Sequence, residues 1–340
     1  MQSSPEAKTF YWYFKPIALV CKILGVFPLQ NILKAKNPKD IKVRIFSFAH
    51  LYSFFIFASM VYMIFYFSGF MFNYNKSVYL LIVVCVMILR SFVCFLFCGS
   101  LSSKLPILIR LLDTFDRKKT PLLIDKNGNN VLRSFALWTV LPMVTGFIAI
   151  GISFMESAQV VLETIPPELG ATNVAVAAYF FGGLSIWQVL PLLMYIYFSI
   201  KIKSNFDIIN DTIARKGYSG CIFDEDIKYP EDMAEAMEYF RHMHNVCSKS
   251  VHVLGTFYGN FMAIDQFCII VMVIANICTF INDKGHDSHL LTLTIFNILV
   301  VVAVLVISHQ IKDSGTKIVD LLHGIVFSRV SEKCRTEVST

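Results

Sequence analysis

The chain has 340 residues, of which 56% are hydrophobic, 14% aromatic and only 16% charged, with a net charge of +6 and a mean hydropathy of +0.61. A soluble domain of this length carries roughly a quarter charged residues, so composition excludes an ordinary soluble fold. The short alternating segments of a transmembrane β-barrel are also absent.

What remains is an all-α, polytopic membrane helical bundle. Runs of about 20 apolar residues, enough to cross ~30 Å of hydrocarbon as a helix, recur along the chain. Six spans are predicted, over Ile45–Phe72, Val78–Cys98, Leu132–Met155, Val174–Ile200, Val251–Ile281 and His289–Ser308. No cleavable leader precedes the first, which then serves as the insertion signal. The expected organisation is a cytoplasmic N-terminal segment (1–44), a six-span domain (45–308) with large inner loops at 99–131 and 201–250, and a cytoplasmic tail (309–340).

Lys and Arg orient this layout. Eight fall in the N-terminal segment, six between Lys104 and Lys126, seven between Lys201 and Lys249, and five in the tail. The opposite side carries only Lys76 and Lys284, a split of 26 against 2. By the positive-inside rule both termini are cytoplasmic. The net charge reflects this asymmetry and requires no nucleic-acid partner.

None of the nine cysteines falls in a predicted outer loop. No disulfide is expected, and most cysteines should act as small buried apolar residues. Asn75-Lys76-Ser77 is a glycosylation sequon in a short outer loop; Asn210-Asp211-Thr212 is on the inner side, where it is silent. Pro230, followed by Glu231 and Asp232, reads as a helix start with acids in its first turn. Met233, Met237, Phe240, Met243, Cys247 and Val251 then recur at helical spacing. The fifth span should therefore grow from an amphipathic stem inside the cytoplasm. Such a stem needs a partner, either another inner helix or a neighbouring subunit, and Met237, Phe240 and Met243 are the assembly candidates.

Arg90 and Asp265 are the two full charges deep in the spans. At 1.5 Å per helical residue they lie about 18 Å and about 21 Å from the outer ends of their spans. A lone charge at that depth is costly. Either the two meet as an internal pair, or Arg90 reaches inward and Asp265 faces a wet cavity separately. Gly255 and Gly259 have the spacing of a close helix contact. His242, His244 and Cys247 do not converge as four ligands on one metal, so no metal and no cofactor is expected. Asp116-Arg117-Lys118 follows the wrong span for a G-protein-coupled receptor. No nucleophile–base arrangement, phosphate loop or metal cluster suggests an enzyme.

The stretch FKPIALVCKILGVFPL, from Phe14 to Leu29, resembles the Pro…Leu-Gly…Pro opening of arthropod gustatory receptors, a branch of the seven-helix chemoreceptor superfamily. The inner N-terminus, the large inner loops and YFRHMHNVCSKSVHVLGTFYGNFMAIDQF, from Tyr239 to Phe267, carry the same resemblance. That family's signature is Thr-Tyr, five apolar residues and Gln-Phe on a seventh, pore-lining helix. Neither the signature nor such a helix is present, so the chain resembles a gustatory receptor cut short before its seventh helix, and would pass no current alone.

The resemblance implies a subunit of a ligand-gated cation channel that detects small-molecule tastants. It implies a homo- or hetero-tetramer with related receptors, in the plasma membrane of a sensory neuron, with no G protein required. It places the agonist pocket in the outer half of the bundle. There Tyr179, Trp187, Gln188, Asp265, Gln266 and Thr292 combine aromatic surface with a few polar groups, as a small-molecule site requires; the aromatics serve equally well as packing or lipid-facing residues. The alternatives are an odorant-branch chemoreceptor, a multi-span carrier, or a subunit that assembles without conducting. Pro142 and Pro191 interrupt two spans as in carriers, but no repeat accompanies them.

Overall fold

The computed structural model describes residues 9–23, 25, 30–31, 34–35, 38–41, 47–74, 78–118, 170–218, 229–282 and 288–329. Among these residues the fold is all-α. A short helix α1 (Phe10–Ile23) and a 3-10 turn (Pro38–Asp40) precede five long helices: α2 (Phe48–Tyr74), α3 (Val78–Lys118), α4 (Gly170–Tyr218), α5 (Tyr229–Asn282) and α6 (Ser288–Arg329). The expected third span, Leu132–Met155, lies outside the described residues, as does Asn75.

Four helices run far past the apolar segments that predict them. α3 continues from Cys98 to Lys118, α4 from Ile200 to Tyr218, and α6 from Ser308 to Arg329. α5 begins at Tyr229, one residue before Pro230. Much of the expected inner loops and tail is thus helical extension of the spans. Two described stretches, Glu238–Ile281 and Thr294–Leu321, are long and apolar enough to cross a membrane. A bent pair, Cys85–Gly99 with Lys104–Lys118, makes a third candidate. Pro106 sits just beyond that bend; it cannot donate to the carbonyl four residues back, so the helix bends on its N-terminal side.

α3 packs chiefly on α5, and α4 on α6. The exposed side of each helix changes character along its length. On α5 it is Arg241, Asn245, Lys249 and His252, then Ile264, Phe267, Ile270, Ile274 and Ile281. On α6 it runs the other way, from Ile295, Leu299, Val302 and Val306 to His309, Lys312, Asp313 and Lys317. Apolar side chains facing outward over such a length suit lipid and not water, so these crossovers separate a lipid-compatible surface from a water-compatible one.

The helical extensions beyond the apolar segments continue the same hydrophobic core. Phe240, Met243, Val246, Cys247, Leu254 and Phe257 repeat at three- and four-residue spacing on α5 and are all buried. The stem therefore packs on this chain's own helices. Tyr239 donates to the Lys118 carbonyl at 2.8 Å, the Lys118 ammonium lies 2.9 Å from His242 Nε2, and His244 packs against the Phe206 ring. Phe240 and Met243 are inside this packing, whereas the side chain of Met237 lies outside the described ones. Gly255 and Gly259 face open space, so the close helix contact expected of them is not made among the described residues.

Candidate functional site

On α3 the residues Met87, Arg90, Ser91, Cys94 and Phe97 fall on one stripe, and all are buried. The stripe brings a guanidinium into the centre of the bundle. Arg90 is 2% exposed, and the carboxylate it meets, Asp265 on α5, is 0% exposed. Arg90 Nε donates to Asp265 Oδ1 at 2.6 Å and Nη2 donates to Oδ2 at 3.3 Å. This two-point pairing gives direction as well as attraction.

The remaining nitrogen, Nη1, donates to Gln188 Oε1 on α4 at 3.3 Å and reaches Asn297 Oδ1 on α6 at 3.5 Å. Gln188 is itself held at both ends. Its amide nitrogen donates to Ser91 Oγ at 2.9 Å and to the Met87 carbonyl at 3.2 Å. Ser91 in turn donates to the same carbonyl at 2.7 Å. One cation thereby ties together α3, α4, α5 and α6. Buried charge is tolerable only when paired and fully hydrogen-bonded, and this network meets that condition for Arg90.

Further polar atoms continue along α5 and α6. Asn276 donates to Thr294 Oγ1 at 3.2 Å. Asn276 Oδ1 and Asn297 Nδ2 are buried without a hydrogen-bond partner among the described residues. They leave one acceptor and one donor beside the Arg90 network, where satisfied groups are the rule.

Of the residues singled out from sequence, the structure brings together Arg90, Asp265 and Gln188. Gln266, turned about 100° around the same helix, is half-buried and makes none of these bonds. Tyr179 and Trp187 lie on α4 and Thr292 on α6, with side chains outside the described ones. Sequence reasoning missed Ser91 and the tie from Asn297 to Arg90. Depth was a usable signal: Gln188 lies fourteen residues in from Val174, the same count as Asp265 from Thr279.

Two other places are unlike this one. A surface hollow of about 340 Å³ lies on the polar side of the stem, lined by Glu238, Arg241, His242, His244, Asn245 and Ser248. The three residues Asp116, Arg117 and Lys118 each take a different partner: Lys201 at 2.8 Å, Asp113 at 2.6 Å and His242 at 2.9 Å. Asp116 and Lys118 thereby fasten the C-terminal end of α3 to α4 and α5, whereas the Arg117–Asp113 pair stays within α3. Among the described residues no three His, Cys, Asp or Glu side chains gather as a metal site.

A family model described as "Trehalose receptor" matches residues 3–209. No curated protein matches the chain. The matched range holds α1, α2, α3 and most of α4, and so contributes Arg90, Ser91 and Gln188 to the network; Asp265 and Asn297 lie beyond it.

Proposed function

The chain belongs to the trehalose receptor family, a family of insect gustatory receptors, and from that premise we propose that it is a subunit of a ligand-gated cation channel opened by a small-molecule tastant, with a sugar the first ligand to test. It is a receptor and not an enzyme. It sits in the plasma membrane of a sensory neuron as six spans with both termini cytoplasmic, and works as a homo- or hetero-tetramer with related receptors. The family match is the observation that carries this reading.

The geometry supports it in two ways. The polar atoms of Asn276, Thr294 and Asn297 offer donors and acceptors of the kind a polyhydroxylated ligand requires. They adjoin a network that joins four helices, so a ligand bound there biases how those helices sit together. We assign the agonist pocket to this outer half, with Gln188, Asp265, Gln266 and Thr292 as polar candidates and Tyr179 and Trp187 as aromatic ones.

The test is whole-cell recording in cells lacking taste receptors. The chain is expressed alone and with related full-length receptors, surface levels are matched, and a tastant panel led by trehalose is applied. An evoked cation current that depends on this chain supports the reading. Sugar uptake without current would favour a carrier instead.

A further inference from the structure

Helix α1 lies within the N-terminal segment that sequence alone assigns to the cytoplasm, yet its surface does not fit water. Its buried stripe is Phe10, Tyr11, Phe14, Ala18 and Cys21. Rings from this stripe stack on Tyr197 and pack at a tilt on Phe198 of α4. The opposite stripe consists of Trp12, Pro16, Leu19, Val20 and Ile23, every one exposed. No polar residue interrupts it. The exposed inner parts of α5 and α6 present mainly Arg, Lys, His, Asn and Asp. By composition, the outer stripe of α1 matches their lipid-facing parts.

The position of α1 agrees with its surface. Two of its anchors are near the inner ends of spans. Cys21 meets Met194 Sδ of α4 at 3.9 Å, and the Ile23 carbonyl accepts from the Tyr52 hydroxyl, four residues into α2, at 2.7 Å. Gly25 then stops the helix with φ +72° and an amide bonded to the Lys22 carbonyl, a left-handed cap that favours glycine. A Cβ there would also meet the Ile56 side chain at 2.8 Å. The end of α1 is therefore pinned at the mouth of the α2 span. Tyr11 fastens the other half, donating to the Ala35 carbonyl at 3.1 Å. Burial, with Asp113 and Asp40 adding to it, pushes its hydroxyl up to about 12, so it remains a neutral donor.

Charge supplies the last element. Lys15 and Lys22 are seven residues apart, two turns of helix, on one flank between the buried and exposed stripes. A helix with an apolar face, an indole and lysines on its flank lies in the membrane interface with its axis in the membrane plane. We propose that α1 is such a helix. Its Trp12–Ile23 stripe enters the acyl region, and Lys15 and Lys22 bind the headgroups of anionic phospholipids. Assignment to the inner leaflet rests on the cytoplasmic N-terminus proposed above; insertion and lipid selectivity do not.

The experiment places the photoreactive residue p-benzoylphenylalanine at Leu19 in the full chain, in nanodiscs of phosphatidylcholine with phosphatidylserine on both faces. The symmetric bilayer makes the result independent of topology and of channel activity. The same residue at Phe267, on the lipid-facing part of α5, is the positive control. We expect lipid adducts at both positions. At Leu19 they should be enriched in phosphatidylserine several-fold over its share, in line with the attraction of a lysine near a charged surface. Lys15→Gln with Lys22→Gln should keep the adduct and lose the enrichment. High salt, applied to the unmutated lysines, should lower the enrichment in the same direction, which keeps the test decisive should the double variant misfold. An adduct to protein, no adduct at Leu19 alongside lipid adducts at Phe267, or phosphatidylserine at its bulk share would each overturn the proposal.

Discussion

The ion pairs at mid-bundle and those on the polar helical extensions use the same chemistry in opposite settings. Arg90 and Asp265 are sequestered from solvent and join separate helices. Lys203–Asp207 and Arg241–Glu238 are solvent-accessible and each lies within one helix, three or four residues apart. Lys201–Asp116 is intermediate: it joins α4 to α3 with both side chains about one-sixth exposed, at 16% and 15%. An exposed pair gains little because water already solvates both charges. A buried pair is dear to assemble but dearer to halve, because the remaining charge has nowhere to go. The inner pairs are therefore dispensable one at a time, whereas the central one determines whether four helices can close.

That contrast can be broken most directly at its centre. Asp265→Asn or Arg90→Gln alone should cost about 3–5 kcal/mol, the range for stranding a buried charge. Little folded receptor should then elute as a single species in fluorescence-detected size-exclusion chromatography. The double change should be milder than the sum of the two. Strictly additive losses would mean that the pair is not coupled.

A second measurement asks whether the stem is held by packing. Met243→Ala removes a fully buried side chain from the inner core and should cost about 2–4 kcal/mol, read as a lower melting temperature of the single chain in detergent. If Met243 served only contact between subunits, melting of the isolated chain would not change.

The smallest effects sharpen the gradient between the two regions. Lys201→Met, beside the largely shielded Asp116, should cost on the order of 1 kcal/mol. Arg241→Gln, on the exposed pair with Glu238, should cost under about 0.5 kcal/mol. Raised salt should erase what remains of the second but not the first. Equal losses at the two positions would show that burial does not grade these pairs.

Much of this architecture is legible in one dimension. Hydropathy marks the segments that must avoid water, and Pro230 with its acids announces the start of α5 to within one residue. The rise per residue puts Arg90, Asp265 and Gln188 at similar depth. Depth along a helix depends only on counting, which is why these residues stand out before any fold is known. Azimuth does not work this way. Whether Arg90 faces Asp265, a wet cavity or the inner surface depends on which helix stands beside which, and that is set by contacts among residues 98 to 207 positions apart. Apolar runs likewise cannot say where a helix ends, since an amphipathic extension loses its hydropathy signal and keeps its hydrogen bonds. So α3, α4 and α6 outrun their spans, and Met243 finds its partners within its own chain. The sequence alone determined that this protein lives in a membrane as helices with charges at matched depth. Only the tertiary structure decided that those charges meet, because it alone sets the rotation of each helix against its neighbours.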